Sequence, residues 1–203
     1  MKNSQTDFTE VPAGGVIGRV AFDEQDAARQ LEEFLDHGLT LCRQSQILVV
    51  CVGTDRSTGD AFGPIIGSRM KALARIPGVD VLGTLDEPVH AVNLGYTLER
   101  IQERYKEAPF IIAMDACLGK FDHVGHITVE KGPLRPGAGV KKSLPEFGDL
   151  TVTGIVNVSG FMEYFVLQNT RLGIVMKMCD TVVQSLYNSL QKHQITQAMR
   201  LGV

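Results

Sequence analysis

The sequence predicts an α/β fold, a three-layer α/β/α sandwich around a mostly parallel sheet. Two observations carry that expectation. Short apolar runs rich in β-branched residues, "ILVVCV" and "FIIAMDA" among them, suit strands buried on both faces. Between such runs lie segments with apolar residues at helical spacing, and strands alternating with helices build a parallel sheet covered on both sides.

The elements follow in order. "DEQDAARQLEEFLDHGLTLCR" sets Ala28, Leu31, Leu35 and Leu39 on one stripe and predicts an amphipathic helix. "QILVVCV", Gln46 to Val52, is an uninterrupted buried strand. "AFGPIIGSRMKALARI" follows as a helix, with Pro64 tolerated in the first turn because its missing N–H has no partner there. "VDVLGT" is a second short strand. "NLGYTLERIQERYKE" is a helix with Leu94, Leu98, Ile101 and Tyr105 on one stripe and Asn93 as its cap. "FIIAMDA", Phe110 to Ala116, is a third buried strand ending in an acid, and "HITVEKG" and "LTVTGIVNV" predict two more. Two helical segments close the chain, "FMEYFVLQN", with Ser159 as the cap before it, and "LGIVMKMCDTVVQSLYNSLQKH".

A chain of 203 residues with 44% hydrophobic and 21% charged residues has room for one sizeable core. The expected division is a loosely ordered tail over 1–22 and a single domain over 23–203. A net charge of −3 gives no reason to expect nucleic acid or an anionic membrane as partner. No stretch approaches the about 20 apolar residues of a membrane span, and the polar "MKNSQTDFTEVPAGG" lacks a signal peptide's apolar run. The expected location is the cytoplasm. Cys42, Cys51, Cys117 and Cys179 lie far apart without a C-x-x-C, which reads as reduced, mostly buried thiols.

Ligands of such sheets gather beyond the carboxyl ends of the strands. Two strands here end in acid-bearing loops, "GTDRSTGDAFGP" with Asp55 and Asp60, and "MDACLG" with Asp115. A phosphate loop needs G-x-x-x-x-G-K-[ST], but an anion, Asp60, follows Gly59, so a nucleotide site is unsupported. Asp60 alone reads equally as a helix cap, and Asp55 as an Asx turn. Asp115 is different, since a carboxylate ending an apolar strand is costly to bury unpaired. Two acids at one rim can divide labour, one ionised and one holding a proton, or can bind a divalent cation. His123 and His126, in "HVGH", lie near that rim and read more simply as surface residues. There is no G-x-S-x-G to supply a nucleophilic serine.

"VGTDRSTGDAFGP", "AMDACLG" and "RPGAGVKK" together resemble the YyaC family of sporulation proteins. The same stretches are more distantly similar to the germination protease that degrades small acid-soluble spore proteins. The matching segments are "DAFGP" from Asp60, "MDA" around Asp115 and "PGAGV" from Pro136. The hydrogenase maturation proteases share the fold this implies.

The resemblance implies an atypical aspartic-type endopeptidase of sporulation or germination, with Asp60 and Asp115 as the catalytic pair and no cofactor. Asp55 would be a secondary acid. Gly59, Gly63, Gly137 and Gly139 would shape the substrate cleft and offer backbone N–H groups. The expected partner is a protein or peptide substrate, with spore proteins suspected. Apolar positions on the last two helices suit either a core or a homo-oligomer interface. In the maturation proteases a histidine joins the acids on nickel, and the stretch where it would fall reads "NVSGF" here, with Asn157. The alternatives are a metal-dependent maturation peptidase using Asp60, Asp115 and His126, and a non-enzymatic sporulation protein that binds a peptide or protein at the cleft.

Overall fold

The computed structural model describes residues 15–136 and 144–201. Six strands form one sheet: β1 (Val16–Ala21), β2 (Ile47–Cys51), β3 (Val79–Leu82), β4 (Phe110–Gly119), β5 (His126–Lys131) and β6 (Leu150–Val158), in the spatial order β1-β5-β6-β4-β2-β3. β3, β2, β4 and β6 run parallel, while β5 is antiparallel to both β6 and β1. The helices are α1 (Ala27–Leu39), α2 (Phe62–Ala72), α3 (Leu94–Arg104), α4 (Glu163–Gln168) and α5 (Leu172–Leu201). The mostly parallel α/β sheet expected from the sequence is the fold observed.

β2 shows why the sheet is buried on both sides. All five of its residues are buried, and their alternation feeds two separate cores. Ile47, Val49 and Cys51 join the face covered by α1, α2 and α5, together with Phe110, Ile112 and Met114 of β4. Leu48 and Val50 join the opposite face, where Leu94 and Ile101 of α3 and the loop residues Leu134 and Phe147 meet Ala113. α1 lies along α5, and the seam is closed by polar bonds: the Ser185 hydroxyl donates to the Ala28 carbonyl at 2.7 Å, and Lys192 pairs with Glu32.

Three expectations need correction. Residues 16–21, placed in the loose tail, form the edge strand β1, which pairs with β5 from Val16↔Glu130 to Ala21↔His126. Residues 1–14 of that tail lie outside the described residues. Asn93 precedes α3 without capping it: its side chain accepts from the His90 N–H at 2.8 Å and donates to the Pro88 carbonyl at 2.9 Å, fastening the loop before the helix. Ser159 caps nothing either, because Met162, in left-handed backbone, stands where α4 begins, and the Ser159 hydroxyl donates to the Gly119 carbonyl.

Candidate active site at the carboxyl rim

The parallel direction of β2, β4 and β6 brings their carboxyl ends to one rim. Just past β2, the Val52 N–H donates to the Met114 carbonyl at 2.7 Å and the Gly53 N–H to the Val89 carbonyl at 2.8 Å. The chain then turns through Gly53, whose φ of +143° leaves the allowed range of other residues. The loop closes on itself when the Thr54 N–H donates to the Asp60 carbonyl at 3.1 Å. A Cβ on Gly53 would lie 2.0 Å from that carbonyl, so glycine here permits the closure that sets Asp60 at the rim.

Gly59 and Gly63, expected to line the cleft, are buried and serve packing. Gly63 brings the first turn of α2 against the end of β2, where a Cβ would meet the Val52 carbonyl at 2.0 Å. Gly59 lies against Leu167 and Thr170, and its N–H is already spent on the Leu167 carbonyl at 2.9 Å. Gly59 therefore has no free donor to offer a substrate. Gly137 and Gly139 lie outside the described residues. β5 is antiparallel, and its last residue, Lys131, pairs with Leu150 at the start of β6, at the end of the sheet opposite the acid rim. Asp55 is exposed on the loop.

Asp115 pairs in the ladder with Thr153 of β6, and its carboxylate accepts the Ala116 N–H at 2.9 Å. The alternation along β4 puts it on the Ala113 side of the sheet, opposite α1, α2 and α5. Burial, with the nearby Asp60 charge added to it, pushes its carboxyl up to about 8. The two acids are thus within electrostatic reach of one another. Asp60 is half-buried and makes no cap bond to α2. Burial raises its carboxyl above the ordinary value, and Ser57 opposes that rise. The Ser57 hydroxyl is itself buried beside Asp60, close enough to favour its charged form but without a well-formed hydrogen bond.

The other side chains near the rim are occupied or inert. The Asn157 amide donates to the Val166 carbonyl at 3.2 Å and the Thr170 hydroxyl at 3.1 Å, tying the end of β6 to α4. The His126 ring lies 3.0 Å from the His123 carbonyl, and the His123 ring 3.4 Å from Arg19. Among the described residues no group of three or more His, Cys, Asp or Glu is gathered, so the donors present do not fit a nickel centre. Burial pushes the Cys51 thiol up to about 12 and the Cys117 thiol up to about 11, which leaves both protonated at neutral pH. Beside the rim, Phe121, Phe161, Tyr164 and Phe165 are exposed, Phe161 at 89%. No helix among the described residues is long and apolar enough to cross a membrane.

Sequence reasoning missed Ser57 and the aromatic rim. Ser57 carries no motif, and the exposure of Phe161 and Phe165 cannot be read from a segment that looks like any amphipathic helix.

Comparison with known proteins places this geometry in context. The chain is 50% identical over 167 residues to the uncharacterized protein YyaC of Bacillus subtilis (strain 168), covering 82% of this chain and 80% of that protein. It is similar in structure to a NiFe hydrogenase maturation protease, HycI, of Thermococcus kodakarensis KOD1, with a TM-score of 0.48 and 15% identity over 78% of this chain and 98% of that one. Residues 19–185 match the family described as a protein of unknown function, DUF1256, and the chain belongs to that family.

Proposed function

We propose that the chain is a peptidase in which Asp60 and Asp115 act together on a peptide bond. The observation that supports the reading most is the contrast between the two carboxyls. Desolvation, with a second negative charge facing it, pushes Asp115 up to about 8, while Asp60 is raised less. Near neutral pH the pair then holds one proton, and Asp115 carries it.

That division suits hydrolysis. Ionised Asp60 accepts a proton from the attacking water, and its raised basicity serves that step. Asp115 donates a hydrogen bond to the carbonyl oxygen on which charge develops. When the tetrahedral intermediate collapses, the proton taken up by Asp60 passes to the leaving nitrogen. The orphaned Ser57 hydroxyl is available to the water or the substrate. The exposed aromatics around α4, joined to the acid loop through the Gly59–Leu167 bond, would receive apolar side chains of a peptide.

The resemblance to the germination protease supports an aspartic-type endopeptidase of sporulation or germination, acting in the cytoplasm on spore proteins. The test is digestion of a small acid-soluble spore protein by wild type, Asp60→Asn and Asp115→Asn, with and without EDTA. Discrete fragments from wild type alone, unchanged by EDTA, are expected. Cleavage retained by Asp115→Asn would sink the mechanism, and cleavage abolished by EDTA would transfer the chemistry to a metal. Tight binding without cleavage by any of the three would make the chain a binding protein.

A further inference from the structure

A cavity of about 570 Å³ lies away from the acid pair, between α3, the end of β3 and residues 87–90. Neither Asp60 nor Asp115 lines it. Its volume is in the range of small-molecule sites. The floor is apolar, with Leu82, Val89 and Ile101, and one wall is a polar stripe of α3 that carries Tyr96, Arg100 and Arg104 at one-turn intervals.

The charges are unequally satisfied. Arg104 is 3.3 Å from the Asp80 carboxylate, which also accepts the Tyr105 hydroxyl at 2.7 Å. Arg100 has no carboxylate at ion-pair distance among the described residues. Its guanidinium donates to the Tyr96 hydroxyl at 3.2 Å and lies over that ring, 5.8 Å from the centroid. The lining carboxylate, Glu87, faces outward to Lys71 at 3.7 Å. An exposed arginine without a partner is ordinary by itself. Here, however, it stands on a cavity whose facing loop Asn93 fastens at both His90 and Pro88, which gives the site a fixed wall. A guanidinium with no carboxylate at ion-pair distance, held beside an aromatic ring and over an apolar floor, is a lining that an oxyanion with a flat apolar body fits.

We propose that this cavity binds a small molecule with a flat apolar body and an oxyanion head, a carboxylate or a phosphate. Arg100 holds the head, and the body lies on Tyr96 over the apolar floor. The site is separate from the peptidase reading and does not depend on it.

Benzoate and phenyl phosphate test the two heads, and benzamide supplies the same ring without the charge. Each is titrated into the full chain while backbone amide signals are followed by NMR. The expected result is saturable shifts over residues 88–104 with at least one anion, binding at least about tenfold weaker for benzamide and for Arg100→Gln. Whichever anion binds more tightly identifies the head. Arg29→Gln, an exposed arginine on α1, should bind as wild type does and controls for overall charge. Because Arg100 is exposed and touches little beyond Tyr96, its replacement should leave the fold intact, checked by an unchanged thermal midpoint. No saturable shift with either anion, equal binding of benzamide, undiminished binding by Arg100→Gln, or an equal loss in Arg29→Gln would overturn the assignment.

Discussion

The two faces of the sheet are built to different thickness. One carries α1, α2 and α5 over a continuous core that runs from Leu31 and Leu35 through Phe62 to Val182 and Leu190. The other carries α3 and a loop over a smaller core around Leu48, Val50 and Ile101. Asp115 and the α3 cavity both belong to the thinner side. The contrast teaches where each task can sit. The thick face holds the fold together, and the thin face leaves room for ionisable groups that a fully packed layer would exclude.

Core truncation should break the comparison most visibly. Phe62 is fully buried against Gly154, and Phe62→Ala is expected to cost about 4 kcal/mol, because the sheet beneath it cannot collapse. Ile101 packs on the thin face beside the open cavity, and Ile101→Ala is expected to cost only about 2 kcal/mol. Urea unfolding measures both, and equal losses would mean that the faces are mechanically alike.

A smaller effect sharpens the contrast through pH. The Asp115 carboxyl titrates at about 8 in the folded chain against an ordinary value of 3.8. Between those values the native state keeps a proton that the unfolded chain has lost, so this group makes stability fall as pH rises from about 4 to about 8. Asp115→Asn removes that penalty. It should exceed wild type by at least about 1 kcal/mol at pH 9 and match it near pH 4. Thermal melts across this range give the difference, and a variant less stable than wild type at pH 9 would contradict the burial of the charge.

Much of the sheet was legible because buried parallel strands leave a plain signature. "ILVVCV" is apolar at every position and "FIIAMDA" at every position but Asp115, as a strand covered on both sides requires. β1 was hidden because "VIGRVA" breaks its apolar run with Gly18 and Arg19, as an edge strand can. The antiparallel direction of β5 was equally silent, since no residue type reports strand direction. Reasoning about caps failed at Asn93, whose side chain fastens the loop just before the helix, and at Ser159, whose partner Gly119 is distant in sequence. At the site, Asp60 and Asp115 could be named from their places at strand ends. The packing roles of Gly59 and Gly63 could not, because a close backbone approach depends on the partner chain segment. The α3 cavity is lined by residues between Leu82 and Tyr105, close together in sequence, but none of them carries a motif.

The central claim is that Asp60 and Asp115 form a coupled pair holding one proton near neutral pH. Its most direct test is a carboxyl-carbon NMR titration of Asp115 in wild type and in Asp60→Asn. An apparent midpoint of about 8 in wild type is expected. It should fall in Asp60→Asn yet stay above 3.8, because burial is the larger cause and the Asp60 charge the smaller. A wild-type midpoint near 3.8, or one that Asp60→Asn leaves unmoved, would contradict the pair and with it the proposed chemistry.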